Sequence, residues 1–339
     1  MGSSNVSTGT NPHTSRMQCL NRSFPRSPSS PFRFMTHSQQ YLSTAGGFSK
    51  PITVITRGLP NSFSRCQRED LSGEVNVERA RAEHAKYVEA LSMNPSVGNV
   101  IHLSADEDYP DCVFVEDTVV LYSNQAVITR SAAETRVGEG DPIANALKQL
   151  GFSIHYMSSM PGATMDGGDV LIAGEDLFVG LSRRTNEGGL QFLSGALSAP
   201  ALPSKDVLSS PRFAGIPVHG ALHLKSLATW VGEEIGFIIA DTEGGHEVAW
   251  HLHNHYTGHN IAVPAVVFVP DLAAANALRV GNVIYYAAHC ASSRPIFQKL
   301  IDNAKGQLPH LSFVGLDTPE INKADGALTC GSIIVSLPK

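Results

Sequence analysis

The chain has 339 residues, 42% hydrophobic and 17% charged, enough to bury a large core in one big domain or two ordinary ones. No apolar run approaches the roughly 18 residues of a membrane-spanning helix, and five scattered cysteines without a CxxC pair fit free thiols in a reducing compartment, not a disulfide framework or zinc finger. Residues 1–68 hold eight Lys or Arg and no acid, so the remainder carries 17 basic against 31 acidic residues, a formal charge of −14; such a body lacks the basic stripe of a nucleic-acid binder and suits a cationic small molecule.

Residues 1 to 48 are rich in Ser, Pro, Arg, Asn and Thr, with little periodic apolar pattern. They read as a disordered leader, and their lack of acids is that of an organelle transit peptide. The expected location is therefore intracellular, cytoplasmic or mitochondrial. Residues 49–339 are expected to form a single catalytic domain.

That domain opens on a short alternating strand, Ile52 to Thr56, followed by a polar loop from Arg57 to Gly73, long enough to suggest a lid. Val77 to Leu91 has the apolar stripe of an amphipathic helix. Val100 to Leu103 reads as a strand, and so does the run from Asp111 to Tyr122. Ala126 to Thr129 is a further strand. A helix is expected from Asp141 and Pro142 to Gly151, then a strand from Phe152 to Tyr156. Val170 to Ala173 and Leu177 to Leu181 flank Gly174 as a hairpin, and Thr185 or Asn186 caps a helix through Leu193. The Pro- and Ser-rich stretch 194–215 reads as an exposed insertion. Strands recur at 237–240, 266–269, 283–287 and 333–337, with helices near 246–257 and 294–304. The order is that of an α/β or α+β fold, without a direct sequence repeat.

The run Asp111-Cys-Val-Phe-Val-Glu-Asp-Thr-Val-Val-Leu-Tyr122 stands out, because it places Asp111, Glu116 and Asp117 in a segment otherwise apolar on both faces. Buried carboxylates need partners. Either a basic side chain meets them inside the fold or the space is kept for a cationic ligand. Cys330, in Gly326-Ala-Leu-Thr-Cys-Gly-Ser, enters the last strand among small neighbours and is a candidate nucleophile or a buried thiol. His223 lies between apolar neighbours in Gly220-Ala-Leu-His-Leu-Lys-Ser, facing a core or a cleft. Asp166 and Asp169 flank paired glycines, where an acid could orient a His ring or simply form a turn. The five histidines of His246–His259 read as a solvated helix face, since no carboxylate or Cys cluster completes a metal site.

Together these pieces resemble the dimethylarginine dimethylaminohydrolase family of guanidino-modifying enzymes. The matching phrases are Arg57-Gly-Leu-Pro, Pro110-Asp-Cys-Val-Phe-Val-Glu-Asp, Asp166-Gly-Gly-Asp-Val-Leu, Phe178-Val-Gly-Leu-Ser-Arg-Arg-Thr-Asn, Leu222-His-Leu-Lys-Ser and Leu328-Thr-Cys. They occur in the family's order across residues 51–337. The resemblance implies a five-bladed α/β-propeller (pentein) of ββαβ-like units around a central active-site channel. It implies Cys330 as nucleophile, His223 as general acid/base and Asp166 as its orienting acid. Asp111 and Asp117 would grip a guanidinium with support from Glu116, Arg136 and Arg184 would meet the substrate carboxylate, and the backbones of Arg68 and Ala324 would meet its amino-acid end.

The implied reaction is hydrolysis of asymmetric dimethylarginine or monomethylarginine to citrulline and an amine through a covalent thiouronium. No cofactor or metal is required, zinc being an inhibitor at Cys330. The implied partner is a small cationic substrate, with no nucleic acid and no membrane, and the protein would be a monomer or homodimer. An arginine deiminase or amidinotransferase of the same superfamily shares these residues, and a non-catalytic arginine-binding or thiol redox-sensing protein is the reading from another class. The leader, the stretch 194–215 and the segment 241–262 have no clear family counterpart.

Overall fold

The described residues form five short sheets, each of three strands, and the same ββαβ unit recurs through them. The computed structural model describes residues 52–69, 73–198 and 211–336, all within a single compact unit spanning 46–339. The leader 1–48 and the middle of the stretch 194–215 lie outside the described residues.

The first unit holds β1 (Ile52–Arg57), α1 (Val77–Ser92) and β2 (Val97–Leu103). The second holds β3 (Val119–Tyr122), β4 (Gln125–Ile128), α2 (Asp141–Gln149) and β5 (Ser153–Tyr156). The third holds β6 (Val170–Ala173), β7 (Asp176–Leu181), α3 (Glu187–Ser198) and β8 (Arg212–Pro217). After the single-turn helix α4 (Leu224–Leu227), the fourth holds β9 (Ala228–Trp230), β10 (Phe237–Ala240), α5 (Glu243–Gly258) and β11 (Val266–Val269). The fifth holds β12 (Leu278–Val280), β13 (Val283–Ala287), α6 (Arg294–Gln307) and β14 (Ser312–Leu316). The short α7 (Pro319–Asn322) and β15 (Ile333–Val335) end the described chain.

In units two to five the middle strand pairs antiparallel with the strand before it and parallel with the strand after its helix. The first unit lacks a preceding strand of its own. β15 supplies it, pairing antiparallel with β1 while β2 pairs parallel on the other side. The last strand thus closes the ring on the first, which leaves the five-bladed α/β-propeller without a free seam. Middle strands are flanked on both edges and covered by neighbouring blades and helices. Most of their residues are therefore buried, as in Phe237-Ile-Ile-Ala, every residue of which is buried; β1 mixes apolar and polar residues, and β4 and β7 open on Gln125 and Asp176.

The cores lie between blades. Ile55 and Ile333 meet Ala126, Ile143 and Leu147 of the second blade, and Val120 and Val127 meet Val170, Leu177 and Val179 of the third. Leu171 and Phe178 share a core with Ile238, Val248, Ile284 and Phe297 of the last two, and Val54 and Leu91 meet Val280 and Tyr285 to close the circle. Each fully buried side chain of this size contributes about 1.5–3 kcal/mol relative to exposure. No helix among the described residues is long and apolar enough to cross a membrane.

Three expectations change. The acidic run is not one strand: Val115–Thr118 is a 3-10 turn and only Val119–Tyr122 is sheet. Its apolar residues are buried because the turn sits inside the ring of blades, so hydrophobicity alone could not distinguish it from a buried strand. The stretch 194–215 is not wholly insertion, since α3 runs to Ser198 and β8 starts at Arg212. The loop after β1 is anchored in its first half, where Leu59, Phe63 and Cys66 enter a core with Val113 and Phe114.

Candidate active site

Each passage from one blade to the next ends in a tight turn just before the new blade's first strand. These turns are Val115–Thr118, Gly167–Asp169, α4, Leu272–Ala275 and Thr329–Gly331. They pack on one another at the middle of the ring: 115–118 against 167–169 and 329–331, and α4 against 167–169 and 272–275. Residues more than 200 positions apart, Asp117 and Cys330 among them, therefore share one cleft. It has about 340 Å³ of free space, and its walls include Asp111, Asp117, Arg136, Arg184, His223, Ala324 and Cys330.

His223 precedes α4 in extended backbone and is 6% exposed. Its Nε2 lies 3.1 Å from Oδ2 of Asp166, which is fully buried. Asp169 does a different job. Its carboxylate accepts the Leu224 N–H at 2.9 Å and the hydroxyls of Ser182 and Thr185 at 2.6 Å each, so it fixes the backbone after His223.

The two glycines between these acids are required by close approach. A Cβ on Gly168 would lie 2.7 Å from Asp117 Oδ1 and 2.8 Å from His223 Nδ1, and one on Gly167 would lie 2.1 Å from the Glu116 carbonyl oxygen. Gly168 also donates its N–H to Asp117 Oδ1 at 3.1 Å. Gly168→Ala is expected to cost about 1–3 kcal/mol of stability through overpacking and about a hundredfold in activity through misplacement of both groups. Thermal unfolding and turnover of the same preparation check both.

Arg136 is buried and nearly spoken for. Nη1 donates to Asp117 Oδ2 at 2.7 Å, Nε and Nη2 to Glu139 Oε2 at 3.0 and 2.8 Å, and Nη2 also to the Phe114 carbonyl at 3.3 Å. A guanidinium has five N–H donors, so one remains for a ligand. Arg184 also lines the cleft, and its side chain joins no ion pair among the described residues. Of the two arginines paired with a substrate carboxylate in the sequence reading, the structure leaves Arg184 the freer.

Asp111 accepts the Gln67 N–H on both carboxylate oxygens, at 3.1 and 3.2 Å. Arg68 is not among the residues lining the cleft and donates through Nη1 to the Gly73 carbonyl, while its neighbour Gln67 is on the wall. Glu116 also points away from the cleft. Lys225 donates to its Oε1 and Thr329 Oγ1 to its Oε2, both at 2.6 Å. Internal basic partners thus meet both Glu116, through Lys225, and Asp117, through Arg136, while Asp111 and Asp117 also line the cleft.

The electrostatics are set by these neighbours. Burial opposes a charge on His223, but Asp117, Asp166 and Asp169 outweigh it and hold the imidazole at about 9. Burial likewise opposes ionisation of Asp117, yet His223 and Arg136 bring its carboxyl down to about 2. Burial pushes the Cys330 thiol up, and the negative charges of Glu116 and Asp117 add to it. Asp111 is also raised by burial. These shifts favour, at neutral pH, an imidazolium at His223 beside an ionised Asp117, with the Cys330 thiol protonated.

This has a consequence for stability. His223 is raised from 6.5, so its contribution is fully present below about pH 6.5 and is lost as pH rises through about 9. The stabilisation is on the order of 3 kcal/mol. Chemical unfolding of the wild type is expected to weaken across that window, and His223→Gln is expected to flatten the decline.

Asp117, Asp166 and His223 are close enough to hold a metal ion among themselves. Both Asp117 oxygens, Asp166 Oδ2 and His223 Nε2 are already engaged with Gly168, with Arg136 and with one another, whereas Asp166 Oδ1 is buried without a hydrogen-bond partner. The His-rich segment of α5 departs from a purely solvated face. His255 Nε2 pairs with Asp176 Oδ1 at 2.7 Å, and its ring packs edge-on against Phe178, whereas His253 and His259 are exposed.

A thiol, an imidazole and carboxylates converge at the centre of a five-bladed propeller. Comparisons place the chain among known proteins. Residues 56–242 match the family described as N,N dimethylarginine dimethylhydrolase, eukaryotic. The N(G),N(G)-dimethylarginine dimethylaminohydrolase of Streptomyces coelicolor is 31% identical over 265 residues, 76% of this chain and 89% of the relative. The chain belongs to the dimethylarginine dimethylaminohydrolase family. The fold is shared with a Pseudomonas aeruginosa dimethylarginine dimethylaminohydrolase, a Cys-to-Ser mutant complexed with citrulline, at a TM-score of 0.68 and 23% identity, over 84% of this chain and 98% of that one. It is also shared with the N-terminal domain of ArgZ, a cyanobacterial arginine dihydrolase, at 0.65 and 16% identity, over 85% and 99%.

Proposed function

We propose that the protein hydrolyses Nω-methylated arginine to citrulline and methylamine or dimethylamine. The observation that carries this reading is one cleft walled by Cys330, His223, Asp111 and Asp117. A guanidinium is a delocalised and poor electrophile. Carboxylates in a water-poor cleft hold it planar and bias its charge toward the outer nitrogens, which activates the central carbon. Arg184, with the remaining N–H of Arg136, receives the substrate carboxylate, and the backbones of the 67–68 segment and Ala324 meet the amino group.

The protonated His223 cannot take the Cys330 proton, so the substrate makes the nucleophile. Its positive charge offsets the burial and the field of Glu116 and Asp117 that hold the thiol protonated, and as substrate binds the thiol releases its proton to solvent and the thiolate forms. Sulfur attacks the guanidinium carbon, and the imidazolium donates its proton to the departing amine. The neutral imidazole, held by Asp166, then takes a proton from water, which attacks the thiouronium carbon. Collapse of that adduct breaks the C–S bond, the departing Cys330 sulfur takes up the adduct's hydroxyl proton to restore the thiol, and the ureido group of citrulline is left. These steps call on side chains alone, and zinc enters as an inhibitor bound by the Cys330 thiolate.

The test is incubation of the purified chain with arginine, monomethylarginine and asymmetric dimethylarginine, with citrulline measured. Citrulline from the methylated substrates at least tenfold faster than from arginine supports the reading. Preference for arginine with ammonia release would make it a deiminase, and no citrulline from any of the three would overturn it.

A further inference from the structure

The passage between the fourth and fifth blades is the one inter-blade turn to which the mechanism assigns no residue. Asn276, which follows the 272–275 turn directly, is 2% exposed. The Asn276 side chain uses its full amide. Nδ2 donates to the Lys225 carbonyl at 3.0 Å and to Thr329 Oγ1 at 3.0 Å, and Oδ1 accepts the Thr329 N–H at 2.9 Å. The orientation of the amide is unambiguous, because a backbone N–H only donates and a backbone carbonyl only accepts.

Thr329 Oγ1, having accepted from Asn276, spends its proton on Glu116 Oε2 at 2.6 Å, and Glu116 Oε1 receives Lys225 Nζ at 2.6 Å. The result is a closed hydrogen-bonded circuit: Asn276, Thr329, Glu116, Lys225 and back to Asn276. Lys225 is two residues from His223, and Thr329 is bonded directly to Cys330. Asn276 is itself splinted from both sides, since Thr229 Oγ1 donates to the Ala275 carbonyl at 2.6 Å and accepts the Ala277 N–H at 3.1 Å.

We infer that Asn276 is a positioning residue that ties the turn carrying the nucleophile to the helix following the general acid, with Thr329, Glu116 and Lys225 completing the tie. The inference rests on the assignment of Cys330 and His223 as the reacting groups. Contacts of the 115–118 turn with 167–169 and 329–331, and of α4 with 167–169 and 272–275, hold four sides of the central ring, and Asn276, which follows the 272–275 turn, spans the fifth side to the 329–331 turn while also bonding the Lys225 carbonyl of α4. A buried amide with every donor and acceptor engaged is rigid, because breaking any bond strands a polar group. Near-attack geometry is sensitive to displacements of about 1 Å, so the circuit sets where the sulfur stands relative to the imidazolium. It touches neither the substrate nor the reacting atoms.

The experiment compares full-length Asn276→Ala, Thr329→Val and Thr329→Ser with the wild type. It measures thermal unfolding, kcat and KM for asymmetric dimethylarginine, and the pH dependence of iodoacetamide alkylation at Cys330, read on its tryptic peptide. Asn276→Ala and Thr329→Val are expected to lose about 10- to 100-fold in kcat, with KM within about threefold and an altered alkylation profile. Thr329→Ser, which restores the hydroxyl, returns kcat to within about threefold of the wild type. Equal activity per folded molecule in Asn276→Ala, or equal failure of Thr329→Ser and Thr329→Val, would overturn the inference. If Asn276→Ala does not fold, the Thr329 pair decides. If the wild type makes no citrulline, the proposed function fails by itself, and the alkylation profiles still decide whether the circuit positions Cys330.

Discussion

Cys330→Ser is expected to lower turnover by at least about three orders of magnitude while substrate binding persists. The two side chains have nearly the same size, but a serine hydroxyl keeps its proton at any working pH, whereas the thiol sheds its proton once a cation binds beside it. Asp111, Asp117, Arg136 and Arg184 are untouched, so isothermal titration with asymmetric dimethylarginine should still report binding. His223→Ala fails differently. Without Asp117 and Asp166 gripping an imidazolium there is no acid for the leaving amine and no base for water. A substrate-derived adduct on the Cys330 peptide is expected in quenched samples of that variant. Citrulline formation by the Cys330→Ser protein, or an adduct on another cysteine, would refute the assignment.

Asp117→Asn is the second large effect. The amide can still accept from Gly168, but its NH2 then faces Arg136 Nη1, donor against donor, at what is now a 2.7 Å contact. Glu139 continues to neutralise Arg136, so the expected stability loss is about 1–3 kcal/mol, below that of leaving a buried cation wholly unpaired. Activity suffers more. The guanidinium loses a charged hydrogen-bond partner, and kcat/KM is expected to fall by about a hundredfold or more. Asp117 is also the strongest of the charges that raise His223. The alkaline limb of the rate profile should therefore move toward neutral pH. Loss of stability with unchanged activity per folded molecule would make Asp117 a structural ion-pair member only.

Much of the outline was legible in the residues. The hairpin around Gly174, the strands at 237–240, 266–269 and 283–287, and the helices beginning near Val77 and Arg294 follow from local periodicity and turn chemistry, which act within a few residues. The reactive set was only partly legible. Carboxylates in an apolar run signal a need for partners, but a Cys among small residues, a His between apolar neighbours and acids around two glycines fit a buried thiol, a core histidine and a turn equally well, and only the family resemblance gives them catalytic roles.

Local pattern could not show that the chain repeats one ββαβ unit five times, because the repeat lies in strand pairing, and the first blade takes its missing strand from β15, almost 280 residues away. Nor could it show that Val115–Thr118 turns, since a buried turn and a buried strand are equally apolar. That turn directs Asp117 to the cleft and Glu116 to Lys225, which decides which acid can meet substrate. The engagement of four of the five Arg136 N–H groups by Asp117, Glu139 and Phe114, and the place of Asn276 in the central ring, depend on hydrogen bonds reaching up to 53 residues along the chain. Asn276 lies in a stretch of alanines and leaves no mark in the sequence. Its significance comes from closure of the five blades, which brings together turns that no local interaction connects.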